Sequence, residues 1–350
     1  MRIRYLSDNW PWFGEHQSYG RLVHYVSEKA HSVKSVKTKY DVWSRLCGKV
    51  YSLFHGEWDR KDSIFANAER EYLSLMRKGE RQGVVHHILY FDTHYLMFNR
   101  WKRAAPNIVA TVHHPVGRNF PEKMEVSLKY LSSAIVFCQE AVPYFEKYIG
   151  KGKVKFIRHG VDTDFFDKAT NKVTKPRRLF FTGQNGRNIK MLTRVILRLS
   201  KDYPDLVFDI LVPHTLRENI AFKKISNLSA VNWLPPKSEQ EVRDLYQRSY
   251  LLLLPMEDSG VNNAVIEAMA CGLPVVTTDV GGIRDYGGGD VYPVAANNDD
   301  EAMMALINRY LASETWRHEV ADNCRRFAED NLSWQIIAQK HLSAYGELCQ

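Results

Sequence analysis

Short apolar runs alternate along this chain with longer segments in which apolar residues recur every three or four positions. The runs predict strands, and the periodic segments predict helices. In the first half the strands are predicted at 3–6, 84–91, 108–112, 134–137 and 154–157, and the clearest helices at 18–27, 63–77 and 140–148. In the second half the strands are predicted at 179–182, 206–211, 231–233, 251–254 and 275–277, and the helices at 191–201, 239–248 and 263–270. Such alternation is typical of an α/β protein with parallel, doubly wound sheets.

The alternation lapses once, in a polar, proline-bearing stretch between Val161 and Arg178. This lapse predicts a domain at 1–160, a linker at 161–177 and a second domain at 178–330. From residue 300 onward the pattern is helical, with no further strand to pair. We expect the last helix, at 331–350, to pack back toward the first domain.

The composition is that of an ordinary globular protein, with 45% hydrophobic and 25% charged residues in 350. No apolar run approaches the length of a membrane-spanning helix, and the first residues lack the apolar stretch of a signal peptide. We therefore expect a cytoplasmic protein. Its five cysteines are odd in number and widely spaced, which argues against a disulfide framework and a zinc site.

The net charge of +8 is divided unevenly along the chain. Residues 1–160 hold 26 Lys and Arg against 15 Asp and Glu, whereas the other 190 residues hold 22 against 25. Within the basic half, residues 29–51 mix cations with aromatic and aliphatic residues: Lys34, Lys37, Lys39, Arg45 and Lys49 among Val36, Tyr40, Val42, Trp43 and Leu46. Two interpretations stay open, a segment that lies on anionic lipid headgroups and a solvated excursion over the domain.

Candidate chemistry lies in the loop after the run Leu251 to Leu254. Gly260 loosens the backbone there, and Asn262 or Asn263 can cap a helix whose free N–H groups would face an anion. Glu267, one turn inside that helix, could accept hydrogen bonds from two neighbouring ribose hydroxyls. Two interpretations stay open from these residues alone: a site for a nucleoside diphosphate, and a carboxylate that is only a favourable partner of the helix dipole.

Four segments resemble the GT-B glycosyltransferases, specifically the large retaining family 4. FIRHGVDTDFF (156–166) is similar to that family's interdomain segment, and LFFTGQNGRNIKML to the first strand and glycine loop of its nucleotide-binding domain. VNWLPPKSEQEVRDLYQRSYLLLLP resembles the stretch that contacts the base, and EAMACGLPVVTTDVGGIRD the donor helix with its glycine turn. The implied fold has two Rossmann-like domains facing across a cleft, with C-terminal helices.

The resemblance implies roles for individual residues. Arg187 and Lys190 would neutralise the departing diphosphate, and His113 would lie beside the donor sugar. The implied donor-binding positions are Gly183, Gln184, Leu234, Asp258, Ser259, Gly260, Asn262, Asn263, Ala264 and Glu267. Gly14, Glu15 and His16 occupy the place of the family's acceptor loop.

This chain departs from the family pattern in two places. Ser259 stands where the family has the first glutamate of a pair, so either Asp258 reaches the donor sugar or a hydroxyl replaces that contact. Gln184 stands where the family has an arginine. The sequence Asp162-Thr163-Asp164 spells a DxD metal motif, but its interdomain position argues against a metal role, and no metal or cofactor is expected.

The sequence thus predicts a glycosyltransferase that uses a nucleotide diphosphate sugar, retains the anomeric configuration and needs no metal. The acceptor is left open between a lipid and a glycan, and an anionic membrane surface is a candidate partner. Two alternatives remain at this stage: a non-catalytic GT-B module that binds nucleic acid or membrane through its basic half, and a nucleotide-sugar epimerase.

Overall fold

The computed structural model describes residues 1–8, 14–39, 41–55, 63–77, 83–100, 107–114, 122–168 and 175–349. The chain forms two compact units. The first comprises Met1–Gly160 together with Trp334–Gln350, and the second comprises Val161–Ser333. Residues 161–168, at the start of the predicted linker, are thus grouped with the second unit, where Val161 bridges to Ser333.

The first unit is built on a parallel six-stranded sheet in the order β2-β1-β3-β4-β5-β6. The strands are β1 (Arg2–Ser7), β2 (Ser32–Lys37), β3 (Val84–Ile88), β4 (Ile108–Thr111), β5 (Ser133–Val136) and β6 (Val154–Phe156). Strands β3, β4 and β5 are buried at every residue, as expected of parallel strands covered on both faces. Because the chain moves from β1 to β2 on one side and to β3 on the other, the topological switch point lies between β1 and β3.

Helices connect the strands of the first unit. They are α1 (Arg21–Ser27), α2 (Val42–His55), α3 (Ser63–Arg77), α4 (Phe91–His94), α5 (Leu96–Arg100), α6 (Glu122–Leu128) and α7 (Ala141–Ile149). Phe91, predicted as the end of a strand, instead begins α4, because the strand stops at Ile88. Strand β2 and helix α2 fall in the basic segment, for which the sequence analysis predicted neither element.

The second unit has its own parallel sheet, in the order β12-β11-β10-β7-β8-β9. Its strands are β7 (Arg178–Thr182), β8 (Val207–Leu211), β9 (Val231–Trp233), β10 (Leu251–Leu254), β11 (Val275–Thr278) and β12 (Val294–Ala295). Its helices are α8 (Ile189–Asp202), α9 (His214–Arg217), α10 (Ile220–Lys223), α11 (Glu239–Arg248), α12 (Asn263–Ala270), α13 (Asp300–Ala312) and α14 (Glu314–Leu332). Here the order reverses between β7 and β10, which places a second switch point between them.

The last helix, α15 (Trp334–Leu348), belongs to the first unit and packs against α1. It buries Trp334, Ile337 and Tyr345 completely or almost so. Its polar groups join a chain of buried hydrogen bonds that runs Tyr5, Tyr345, His87, Thr111, Tyr19, His341 and the carbonyl of Ile337.

The two histidines of that chain are neutral because burial lowers their pKa values, and with neutral rings one carbonyl fixes every proton in the chain. A carbonyl only accepts, so His341 Nδ1–H donates to Ile337 and its Nε2 accepts from the Tyr19 hydroxyl. Each hydroxyl has one proton, so the remaining directions follow in turn, ending with His87 Nδ1 accepting from Tyr345 and Tyr345 accepting from Tyr5. Burial lowers the pKa of His341 to about 4 and that of His87 well below its usual value.

The predicted fold class, α/β with two doubly wound parallel sheets and C-terminal helices, is confirmed. In the part of the chain that the structure describes, no helix is both long and apolar enough to cross a membrane.

Candidate active site

The switch point of the second unit carries a half-buried arginine. Arg187 follows β7 in a tight loop, where its Nε donates to the Thr182 carbonyl at 2.9 Å and its Nη1 to the Asn185 carbonyl at 3.0 Å. Gly183 has φ of +84°, and a Cβ there would collide with the Arg187 guanidinium. The loop sequence therefore permits Arg187 to fold back over the end of β7.

This guanidinium has no direct ion-pair partner in the described part of the chain. Among the described residues no carboxylate lies within ion-pair distance of Arg187, and burial lowers its pKa to about 10. The side chain is still protonated at neutral pH. The Glu267 carboxylate is near enough to raise this pKa, but it forms no ion pair with Arg187, so the half-buried positive charge would gain a direct partner from an anionic ligand.

Helix α12 begins beside this arginine. Asn262 caps the helix by accepting a hydrogen bond from the Ala264 backbone N–H at 3.1 Å, and the same oxygen accepts one from Arg187 Nη2 at 3.3 Å. The first residues, Asn263 and Ala264, present the N-terminal end of the helix dipole, which favours an anion. The structure thus brings Arg187 and the start of α12 together.

Glu267 lies one turn further along α12. Its side chain is buried, and its Oε2 accepts a hydrogen bond from the Tyr246 hydroxyl at 2.9 Å. Burial, and then the neighbouring Glu267 carboxylate, raise the pKa of Tyr246 far above its ordinary value, so the tyrosine remains a donor. Tyr246 therefore orients the Glu267 carboxylate, a role that the sequence analysis did not assign.

The loop between β10 and α12 packs against the glycine turn that follows β11. The Ser259 carbonyl accepts a hydrogen bond from the Gly282 N–H at 2.6 Å, and Gly281 approaches so closely that a Cβ would overlap this carbonyl. The Ser259 side chain is buried, and its Oγ has no hydrogen-bond partner in the described chain. Asp258 and Gly260 are half-buried. Asp258 and Ser259 both stay candidates for the missing glutamate's contact.

The remaining donor-site candidates differ in exposure. Gln184 and Lys190 are exposed, and Lys190 lies in the first turn of α8, where Asn188 is the N-cap. Leu234 is buried; its N–H donates to the Ile210 carbonyl at 2.9 Å, and its own carbonyl accepts from Arg217. Sequence reasoning treated Arg187 and Lys190 alike, whereas the structure half-buries Arg187 and leaves Lys190 exposed.

In the first unit, His113 follows β4 and is held on three sides. Asp92 accepts the backbone N–H groups of His113 and His114 at 2.7 and 2.8 Å, and His113 Nε2–H donates to the Leu89 carbonyl at 2.8 Å. Its ring stacks on Tyr90 with the centroids 4.7 Å apart. Burial lowers the pKa of His113. The neutral ring therefore offers Nδ1 as a hydrogen-bond acceptor.

The acceptor-loop candidates are only partly described, because residues 9–13 of the loop lie outside the described chain. Gly14 and His16 are half-buried. Glu15 is exposed and accepts a hydrogen bond from Arg21 at 2.9 Å in an ion pair. A partly solvated pair of this kind contributes little stability.

The DxD sequence has a structural explanation. Asp162 is buried, and its Oδ1 accepts the Phe165 N–H at 3.1 Å while its carbonyl accepts the Phe166 N–H at 2.8 Å. Asp164 is exposed. Across the described ranges, no group of three His, Cys, Asp or Glu side chains is arranged to hold a metal ion.

The basic segment resolves into two surfaces. Val36 lies buried on β2, whereas α2 exposes Val42, Trp43, Leu46 and Val50, with Trp43 76% exposed. At about 100° per residue these four side chains fall within roughly a third of the helix circumference, and we call them the α2 apolar surface. Arg45 and Lys49 flank it and are exposed. Tyr40 lies outside the described residues.

One polar cluster escaped sequence reasoning altogether. Asp8, Thr38, Glu69 and His94 come from four separate segments and meet in the interior of the first unit. Asp8 directly follows β1, and that placement after a strand was the only signal in the sequence.

Comparisons with known proteins agree with this geometry. Residues 176–313 match the family model described as "Glycosyl transferases group 1". A 119-residue segment is 32% identical to D-inositol 3-phosphate glycosyltransferase of Salinispora arenicola, covering 34% of this chain and 26% of that protein. The match thus spans about a quarter of that relative's length.

Two solved structures align over nearly the whole chain. Sucrose-phosphate synthase of Thermosynechococcus elongatus aligns with a TM-score of 0.75 at 14% identity, covering 99% of this chain and 98% of the other. Anabaena HepE in complex with UDP and glucose aligns with a TM-score of 0.70 at 12% identity, covering 98% and 99%. The chain is therefore a protein of the GT-B glycosyltransferase fold whose second unit matches the group 1 glycosyltransferase family.

Proposed function

We propose that this protein transfers a sugar from a nucleotide diphosphate donor to a hydroxyl acceptor, with retention at the anomeric carbon and without a metal ion. One observation carries the proposal: Arg187, a half-buried guanidinium with no carboxylate within ion-pair distance among the described residues, lies beside the N-terminus of α12. Departure of a nucleoside diphosphate needs positive charge where negative charge develops. The UDP and glucose bound to HepE support this class of donor.

In this proposal each group of the second unit has a separate task. Arg187 and the N–H groups at the start of α12 stabilise the departing diphosphate, and Lys190 adds a mobile charge at the rim. Glu267, oriented by Tyr246, accepts the ribose hydroxyls, and Asp258 or Ser259 contacts the donor sugar. In the first unit, His113 accepts a hydrogen bond from the sugar through Nδ1. The acceptor hydroxyl arrives on the face that the diphosphate leaves, and the departing phosphate takes its proton.

The first test is nucleotide binding. UDP, GDP and ADP are titrated against the full chain, and the melting temperature is recorded, since a ligand specific for the folded state stabilises it in proportion to occupancy. Arg187→Ala should abolish the stabilisation and Lys190→Ala should weaken it. Arg194→Ala and Lys201→Ala are matched controls, because both residues are cations on α8, the helix that carries Lys190. Both variants should bind nucleotide as the wild type does. Nucleotide binding that survives Arg187→Ala would overturn the assignment.

Glu267 has its own test. Glu267→Ala should weaken nucleotide diphosphate binding by about 1.5–3 kcal/mol, the size of a charge-assisted hydrogen bond, while the fold persists. Tyr246→Phe should weaken it less, because the carboxylate stays but loses its orienting donor. Calorimetric titration with the bound nucleotide measures both variants. Unchanged affinity in folded Glu267→Ala would remove Glu267 from the site.

Turnover separates the transferase from its two rivals. A binding module would hold the nucleotide sugar unchanged, and an epimerase would interconvert the donor without an acceptor; neither is favoured by the relatives named above. Transfer should survive chelation and give an α-linked product from an α-linked donor. Activity that disappears in chelator, returns with magnesium or manganese and is abolished by Asp162→Ala would establish a metal mechanism instead.

We also propose that the α2 apolar surface lies on an anionic membrane. Its four exposed apolar side chains, flanked by Arg45 and Lys49, have the chemistry of a helix in the headgroup region. The protein should sediment with anionic vesicles and not with neutral ones, and should dissociate as salt rises past about 0.15 M. Trp43→Ser should weaken this binding, whereas Ile220→Ser, which removes an equally exposed apolar residue from the second unit, should not. Binding to nucleic acid alone would support the non-catalytic rival.

A further inference from the structure

The buried cluster of Asp8, Thr38, Glu69 and His94 is not used by the donor chemistry above. Asp8 Oδ1 accepts the Thr38 hydroxyl at 2.7 Å and His94 Nε2–H at 3.0 Å. On the other side of the ring, His94 Nδ1–H donates to Glu69 Oε1 at 3.1 Å. The side chains of Asp8 and His94 are wholly buried, and that of Glu69 is 4% exposed.

The two carboxylates keep the imidazole charged. Burial opposes the charged ring, but the charges and hydrogen bonds of Asp8 and Glu69 outweigh burial and raise the pKa of His94 to about 10. At neutral pH the cluster therefore holds two negative charges and one positive charge. A net negative charge in the interior is costly unless a further donor meets it.

One carboxylate oxygen of the cluster, Asp8 Oδ2, has no such donor in the described chain. Asp8 Oδ2 is buried and has no hydrogen-bond partner within the described chain, although Oδ1 of the same carboxylate has two. An ionised carboxylate oxygen that is buried and unbonded is an exception among native structures. Such an oxygen suits a ligand group that brings its own proton.

The position of this oxygen in the fold is that of a ligand site. Asp8 is the first residue after β1, and His94 lies six residues after the end of β3. These strands flank the switch point of the first sheet, and open α/β sheets bind ligands outside the carboxyl ends of the strands at that point. The cluster thus occupies in the first unit the place that Arg187 occupies in the second.

We propose that Asp8 Oδ2 accepts a hydrogen bond from a hydroxyl of a polyhydroxylated acceptor, a sugar or a cyclic polyol. Thr38 and His94 hold the Asp8 carboxylate in position, and Glu69 holds His94. His94 and Glu69 are therefore positioning residues. The inference rests on the proposed transferase function, for which it names the acceptor's contact in the first unit. It assigns no role in proton transfer to Asp8.

The sharpest variant is Asp8→Asn. Its amide oxygen can keep the bonds from Thr38 and His94, so that only Oδ2 is exchanged for an N–H₂ group that repels a hydroxyl proton. The probes are myo-inositol, methyl α-glucoside, N-acetylglucosamine and glycerol, titrated against the full chain with the stabilising nucleotide present. At least one polyol should bind, and Asp8→Asn should weaken that binding by about tenfold or more.

Nucleotide affinity of Asp8→Asn should equal that of the wild type, which separates this inference from the donor proposal. Asp209→Asn is the matched control, because Asp209 is a wholly buried carboxylate in the second unit whose oxygens accept from Arg178 and Asn232. It should leave polyol affinity unchanged. If the wild type binds no nucleotide, the proposed transferase function is wrong. The polyol titration then tests the assignment of Asp8 independently.

A second measurement needs no variant and so survives a folding failure. In wild-type protein labelled with ¹⁵N-histidine, a bound polyol should shift the His94 Nε2 resonance, because His94 and the polyol share one carboxylate. Nucleotide alone should leave that resonance in place. Absence of binding by every polyol, equal binding by Asp8→Asn, or a polyol that binds without moving the His94 signal would each overturn the proposal.

Discussion

The two units use the same topological device with opposite charge. Between β7 and β10 the second unit presents a half-buried arginine and the start of a helix, both suited to an anion. Between β1 and β3 the first unit presents a cluster with net negative charge and an unbonded carboxylate oxygen. A parallel sheet determines where a ligand can meet the backbone, but the residue that follows each strand determines which ligand it suits.

The units also differ in how their interiors are held together. The first buries a continuous chain of tyrosine, histidine and threonine hydrogen bonds that includes α15. The second is one uninterrupted stretch of chain around a mainly aliphatic and aromatic core. We therefore expect the first unit to depend on a distant segment and on pH between 4.5 and 9.5, and the second to depend on neither in that range.

The largest effect is expected from dividing the chain. Residues 161–333 should fold alone, whereas residues 1–160 should not, because they lack the buried Trp334, Ile337 and Tyr345 of α15. Large buried side chains contribute about 1.5–3 kcal/mol each, so losing three removes much of a typical stability of about 5–15 kcal/mol. Circular dichroism and thermal unfolding of the two fragments measure this.

Adding α15 as a separate peptide is the control for that experiment. A peptide of residues 334–350 should restore cooperative unfolding to the 1–160 fragment and do nothing to the 161–333 fragment. Cooperative unfolding of the 1–160 fragment without the peptide would show that α15 is dispensable and would remove this difference between the units.

The pH response should be the next largest difference. The folded-state pKa values of His159 and His341 lie at about 3 and 4, below the ordinary 6.5, and the pKa of His87 is also far below it, all chiefly through burial. As pH falls, these histidines bind protons in the unfolded state before they do so in the folded state. Their contribution to the free energy of unfolding is therefore complete above pH 6.5 and is lost as pH falls toward 4. The loss is about 1.4 kcal/mol per histidine for each pH unit.

His94 has the opposite dependence. Its raised pKa of about 10 means that its contribution is complete below pH 6.5 and is lost as pH rises toward 10. Hydrogen exchange measured by mass spectrometry between pH 4.5 and 9.5 should therefore show the first unit losing protection at both extremes. Equal loss from peptides of both units at acid pH would contradict this prediction.

The sequence predicted the strands better than the polar clusters, and the reason is physical. A run such as Leu251 to Leu254 is apolar because both faces of its strand are covered, so the signal is local. The edge strand β2 has only one buried residue, Val36. Its lysines give it the composition of a surface segment, so the sequence pattern did not indicate a strand. The fold class needed only local patterns.

The candidate site divides in the same way. The start of α12 with its cap at Asn262 could be read from adjacent residues, because a cap is a local feature. The burial of Arg187 could not, since it depends on Gly183, Asn262 and the neighbouring strand. The cluster of Asp8, Glu69 and His94 depends on three segments up to 86 residues apart, and only the fold brings them together.

The smallest expected effect is a difference in the free energy of unfolding between two Tyr→Phe variants, one in each unit. Tyr345→Phe removes a hydroxyl that donates to His87 and accepts from Tyr5, and should cost about 1–3 kcal/mol because both partners stay buried without a bond. Tyr292→Phe removes a buried hydroxyl that has no partner in the described chain, and should be neutral or slightly stabilising. Urea unfolding of the two variants measures the pair. Equal costs would mean that the buried polar chain of the first unit contributes no more than an unbonded hydroxyl, which would end the contrast between the two interiors.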